Sequence, residues 1–211
     1  PQPVRTWRDI RAYFRIRDRE MFPSLDETNL VFQYGDYLEF PVTEPDLLTL
    51  IPPSMFGPPE KVFTDKVETR KPGLLVRQMG RGMMIYFPWE LGRLYYRFSN
   101  HHHARLLSDV VERLLPDGRQ LRTDAHPLVE ITLMEQVGES ARQIHLVNLS
   151  GHSQTAYFPS IPMEEITIEV KGSYSRARSL KLSRELAVTS VGDYIRFKIP
   201  RLERYDLVIL E

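Results

Sequence analysis

Beyond residue 128 the chain alternates apolar and polar residues in short runs. The segments 129–134, 143–149, 154–158, 166–170, 177–182, 185–189, 194–199 and 204–210 follow this pattern, with turn residues between them. Side chains along a strand point to opposite faces with a period of two. Each such run therefore lines a core with one face and meets water with the other. So many short runs, closely spaced, predict an antiparallel β-sandwich.

The region before it is mixed. Residues 29–34 form a strand candidate rich in β-formers, Gly35-Asp36 is a turn signal, and 37–42 resumes extended structure. Residues 47–51 read as a short buried strand, and the prolines at 52–53 and 58–59 make 52–73 an irregular excursion. Gly80-Arg81-Gly82 predicts a tight hairpin between strands at 73–79 and 83–87. Pro88 ends the second strand, and 86–96 reads as a loop crowded with aromatic and polar groups. Ser99 or Asn100 caps a helix running to about Leu115, with Leu106, Leu107, Val110, Val111, Leu114 and Leu115 as one apolar stripe. Pro116-Asp117-Gly118 stops it. The polar, turn-rich stretch 116–126 places a domain boundary, giving 1–118 and 119–211.

Composition narrows the function classes. The 211 residues are 42% hydrophobic, enough for a core. Lys plus Arg (28) equals Asp plus Glu (28), so no bulk charge steers the chain to nucleic acid or an anionic membrane. No run of about 18 apolar residues offers a helical membrane span. There is no cysteine, which removes disulfides, thiolate metal sites and a cysteine nucleophile together. That fits a reducing compartment and favours the cytoplasm.

Candidate sites are few. The arginines of residues 5–20 interleave with Trp7, Tyr13 and Phe14, as in a phosphate-gripping segment. Asp9, Asp18 and Glu20 dilute that charge, and a packed amphipathic segment with solvated arginines is the preferred reading. His101, His102 and His103 invite a metal. Consecutive helical residues point about 100° apart, so three in a row cannot all reach one ion, and no metal or cofactor is expected. Trp89, Glu90, Arg93, Tyr95 and Tyr96 are the carbohydrate or interface candidates. Aromatic faces stack on sugar rings, while carboxylate and guanidinium groups bond hydroxyls. Ordinary core and contact roles explain the same residues. Glycoside hydrolysis needs two carboxyl groups across the scissile bond. Glu39, Glu44 and Asp46, and Glu164 with Glu165, are better explained as solvated charges or turn formers. No catalytic residue is assigned. Ser150-Gly151-His152 lacks the frame of a nucleophile elbow and reads as a hairpin turn.

The sequence at 72–77, then Gly80 to Tyr96, then 103–107, resembles the end of the trimerisation domain of family 42 β-galactosidases and related glycoside hydrolases. Residues 144–150 and 199–211 resemble the small β-sandwich that closes those proteins. The resemblance implies a partial flavodoxin-like, class I glutamine-amidotransferase-like α/β module followed by an antiparallel β-sandwich. It implies a C-terminal fragment that lacks the catalytic barrel and its two carboxylates. The expected role is a non-catalytic accessory or oligomerisation region, with a homo-oligomer and the upstream barrel as partners. The alternative is a carbohydrate-binding module using the 86–96 loop or the sandwich surface.

Overall fold

The computed structural model describes residues 2–42, 46–54, 57–62, 69–135, 141–153 and 155–211. Two compact units divide the chain, Pro1–Asp117 and Gly118–Glu211.

The first unit is organised around a long bulged strand, β1 (Arg5–Ile16). It pairs antiparallel with β2 (Leu30–Glu39) and β3 (Leu48–Ile51). The arginine-rich segment thus follows the strand period: Ile10, Ala12, Phe14 and Ile16 are buried, while Arg11 and Tyr13 alternate with them. Between the pairs Trp7–Tyr37 and Ile10–Gly35, two residues of β1, Arg8 and Asp9, face only one of β2, Asp36. The extra residue is a β-bulge, with Asp9 in the left-handed region at φ 48°. The Asp36 carboxylate accepts the Asp9 N–H at 3.0 Å and holds the Arg8 guanidinium. Gly35 and Asp36 therefore do not turn the chain, as their composition suggests. They sit within one continuous strand opposite the bulge, where Gly35 takes φ +114°.

The hairpin forms as expected, from β4 (Leu75–Met79) and β5 (Gly82–Tyr86), with Gly80 at φ +61°. After it come two helices, α1 (Leu91–Phe98) and α2 (His101–Leu114). The first corrects the reading of 86–96 as a loop. It buries Leu91 and Leu94 and ends at Ser99, whose left-handed backbone donates its N–H to the Tyr95 carbonyl. The Asn100 side chain caps α2, accepting the His102 N–H at 2.9 Å. The expected apolar stripe of α2 splits: Leu106 and Val110 are buried beside His103, whereas Leu107, Val111, Leu114 and Leu115 are exposed. Phe14, Phe22, Leu25, Tyr37, Leu50, Leu94 and Leu106 form the centre of one core. Each such side chain contributes about 1.5–3 kcal/mol by leaving water.

Every strand pairing described in this unit is antiparallel. A flavodoxin-like module is built on parallel strands joined by helical crossovers. The described residues therefore give that expectation no support. Glu44 and parts of the 52–73 excursion lie outside the described residues.

The second unit is mostly strand and fits the expected sandwich. One sheet contains β6 (Leu121–Thr123), β11 (Met163–Lys171), β14 (Thr189–Val191) and β15 (Tyr194–Leu202), in the order β14-β15-β11-β6. The other contains β7 (Val129–Glu135), β8 (Arg142–Asn148), β12 (Ala177–Ser179), β13 (Arg184–Leu186) and β16 (Tyr205–Leu210), in the order β13-β12-β16-β8-β7. A small ribbon of β9 (His152–Ser153) and β10 (Ala156–Tyr157) replaces the single strand expected at 154–158, and β6 forms inside the stretch read as a turn-rich boundary. Ile144, Leu146 and Val208 of one sheet meet Ile168, Phe197 and Ile199 of the other in a shared core. Two polar residues anchor the loops. Asn148 donates to the carbonyls of Ile161 and Glu203 at 2.8 and 2.9 Å. Asp206 accepts from Ser179 Oγ at 2.6 Å and from the N–H groups of Leu207 and Lys181.

Candidate functional site

The five residues singled out from the sequence separate in the structure. Trp89 belongs to the core. It is 6% exposed, its Nε1 donates to the Gly73 carbonyl at 2.8 Å, and its ring packs against Phe14, Phe87 and His103. A buried indole with its N–H satisfied has no face left for a sugar. The chain crosses close by: a Cβ at Gly73 would fall 2.4 Å from the Phe14 ring.

Glu90 and Arg93 stay on the surface as an ion pair one turn apart at the start of α1. They lie over Gly35, where a Cβ would come within 2.6 Å of Arg93 Nη2 and 3.0 Å of Glu90 Oε2. The glycine thus admits both the backbone twist and the pair above it. Nearby, the Asp9 N–H first, then Arg8, holds the Asp36 carboxyl below its usual range. Tyr95 is partly exposed and Tyr96 is 90% exposed, so these two of the five present aromatic surface to solvent.

The three histidines divide two against one. His103 is fully buried, and its Nε2 donates to the Phe32 carbonyl at 2.7 Å. Burial depresses its pKa and keeps the ring neutral. His101 and His102 point the other way, to Glu27 in the loop between β1 and β2. Their Nε2 atoms lie 3.0 and 3.4 Å from Glu27 Oε1. Arg105 reaches the same oxygen at 2.6 Å, and this contact is the main reason Glu27 titrates below the ordinary carboxylate range. The spacing of three consecutive histidines cannot reveal this meeting, because Glu27 is far away in sequence.

Among the described residues, the carboxylates weighed for hydrolysis are in ion pairs. Glu39 is held by Lys71 and by Trp7 Nε1, Asp46 by Arg70, Glu164 by Arg201 and Glu165 by Lys198. Burial pushes the Glu39 pKa up, but the contacts with Lys71 and Trp7 outweigh it and the net shift is downward. The Ser150-Gly151-His152 segment is a turn into the ribbon, where His152 stacks on Tyr157 at 5.1 Å.

An open cleft of about 670 Å³ in the second unit was not foreseen. Lys171, Tyr174, Ser190, Asp193 and Tyr194 are among its lining residues. It gathers from separate loops and carries no continuous sequence signal.

No protein-family model matches the sequence, and no curated protein matches it. Solved structures do. Over 97% of its length the chain is similar to part of the α-L-fucosidase isoenzyme 2 from Paenibacillus thiaminolyticus, with a TM-score of 0.75 and 19% identity. The match covers 32% of the fucosidase chain, so the present sequence spans about a third of that protein. At this identity the likeness establishes a shared fold. A cycloisomaltooligosaccharide glucanotransferase of Paenibacillus sp. also matches, over 51% of this chain and 20% of its own, with 20% identity and a TM-score of 0.37, too low to carry weight.

Proposed function

We propose that this chain is a non-catalytic accessory region of a glycoside-hydrolase-like protein, serving self-assembly and support of a catalytic domain carried elsewhere in the parent. The observation that carries this reading is the apolar stripe left uncovered along α2 at Leu107, Val111 and Leu114. Tyr96, Phe98, Leu107, Val111 and Leu114 are all exposed, although α2 already buries a separate face on its own core. Leu107, Val111 and Leu114 follow helical spacing along one side of α2, and an exposed apolar patch on a folded chain marks a contact site. The fold likeness to a segment of a fucosidase supports a glycoside-hydrolase parent in general, with the family 42 resemblance as a narrower reading of the same idea.

The test is sedimentation of the chain across a concentration series. The expected result is self-association that weakens in Leu107→Glu and Val111→Glu, with unchanged melting temperatures. A monomer at every concentration rejects the assembly role.

A second reading, carbohydrate binding, draws on the exposed Tyr95 and Tyr96 rings beside the Glu90–Arg93 pair. It also draws on the 670 Å³ cleft with its tyrosines, hydroxyls, Lys171 and Asp193. Affinity electrophoresis against a range of glycans tests it. Retention reduced by Tyr96→Ala or Tyr174→Ala supports it, and no retention on any glycan rejects it.

A further inference from the structure

We infer that Glu27, His101 and His102 form a binding site for one borderline divalent cation, of the zinc or nickel kind, that staples the β1–β2 loop to the start of α2. The argument begins with the helix. Its Asn100 cap fixes the first turn, and His101 and His102 are the first two helical residues. Their rings lie 4.0 Å apart at 50°, so both turn the same way although their Cα–Cβ bonds diverge. Each places Nε2 against one oxygen of Glu27, and all three ligand atoms lie within 4.8 Å of one another.

These separations suit one ion. A tetrahedral zinc with bonds of about 2.1 Å keeps its ligand atoms about 3.4 Å apart. The two imidazole nitrogens stand 3.0 and 3.4 Å from Glu27 Oε1. Two neutral imidazoles and a carboxylate are the donor set that borderline divalent ions prefer, with a position left for water. The site is open to entry, since His101 and Glu27 are exposed at their side chains and His102 is partly so. Among the described residues no other group of histidine and acidic side chains converges in this way.

Two features oppose a cation. The N-terminal end of a helix carries partial positive charge, and Arg105 already holds Glu27 Oε1. Arg105 also donates to the Ser24 carbonyl at 3.2 Å, so it retains an acceptor when it yields the carboxylate. The competition makes a specific prediction: removing the guanidinium strengthens binding. A histidine pair that captures ions without Glu27 would instead keep its affinity in Glu27→Gln.

Calorimetric titration of the 211-residue chain with zinc chloride, and separately with nickel chloride, tests the site. The expected result is one ion per chain and a raised melting temperature. Loss of a group that merely supports a ligand weakens metal affinity by about 10–100-fold, and loss of a ligand should weaken it at least as much. His101→Ala and Glu27→Gln should each do so, while Arg105→Leu tightens binding. Metal-free melting curves of the variants confirm that they fold, and Glu27→Gln serves if His101→Ala does not. The inference is overturned if the wild-type chain binds neither ion. It is also overturned if binding is unchanged in Glu27→Gln, or in the double variant His101→Ala with His102→Ala.

Discussion

His103 Nε2 donates a 2.7 Å hydrogen bond to the carbonyl oxygen of Phe32, tying α2 to β2 inside the core of the first unit. A carbonyl only accepts, so Nε2 carries the proton and the ring is held in one tautomer. The other nitrogen, Nδ1, is buried and has no hydrogen-bond partner among the described residues. A second proton would therefore enter an apolar setting, which is why burial lowers the pKa from 6.5.

The sign of the resulting pH dependence follows. The folded pKa lies below the unfolded value, so the unfolded chain binds the proton first as pH falls. This contribution to stability is complete above about pH 6.5 and is lost progressively below it, toward the folded pKa. Melting temperatures measured from pH 8 to pH 5 should fall on the acid side, and His103→Gln should flatten that slope. His103→Leu should cost about 1–3 kcal/mol at neutral pH, because it leaves the Phe32 carbonyl buried without its donor.

Trp89→Ala should destabilise the first unit by about 3–5 kcal/mol, the usual cost of emptying a buried aromatic site. The change also removes the Nε1 bond to the Gly73 carbonyl. Denaturant unfolding measures this. Any loss of glycan retention in this variant would then track unfolding, whereas Tyr96→Ala, at a 90% exposed position, should leave stability within about 0.5 kcal/mol.

Gly73→Ala should be among the most damaging small substitutions. Its Cβ would fall 2.4 Å from the Phe14 ring, and Phe14 is fully buried among neighbours that leave it nowhere to go. Overpacking of this kind costs about 1–3 kcal/mol. Restoration of the melting temperature in the double variant with Phe14→Leu would confirm the clash as the cause.

In the second unit, Ser179→Ala should destabilise by about 1.5–3 kcal/mol, since it withdraws a hydrogen bond from the buried Asp206 carboxylate. Asp206→Asn should be milder than Asp206→Ala, because the amide oxygen still accepts from the Leu207 and Lys181 N–H groups. Chemical denaturation followed by tyrosine fluorescence reads both.

The sandwich strands are legible because the signal and the structure share a period. Residues 166, 168 and 170 read as one apolar face, and all three are buried. The helix at Asn100 is legible because its cap and stripe are local. The first helix hides for an equally local reason: Pro88 precedes it, Gly92 sits within it, and Tyr95, Tyr96 and Phe98 are poor helix formers. Its formation depends on Leu91 and Leu94 reaching a core assembled from distant strands. Gly35-Asp36 misleads because composition cannot tell a turn from a strand position that faces a bulge. The convergence of Glu27, His101 and His102 lies beyond any local pattern, since the fold brings the loop to the helix.

The bulge in β1 also acts as an index mark between two long strands. A slip of one residue would turn Ile10, Ala12, Phe14 and Ile16 outward and carry Gly35 away from its pairing with Ile10 beside the bulge. Asp36 would lose the Asp9 N–H and the Arg8 guanidinium in the same step. Neighbouring registers thus fail in their packing, backbone geometry and charge pairing together, and β1 and β2 have a single alignment at which they can lock.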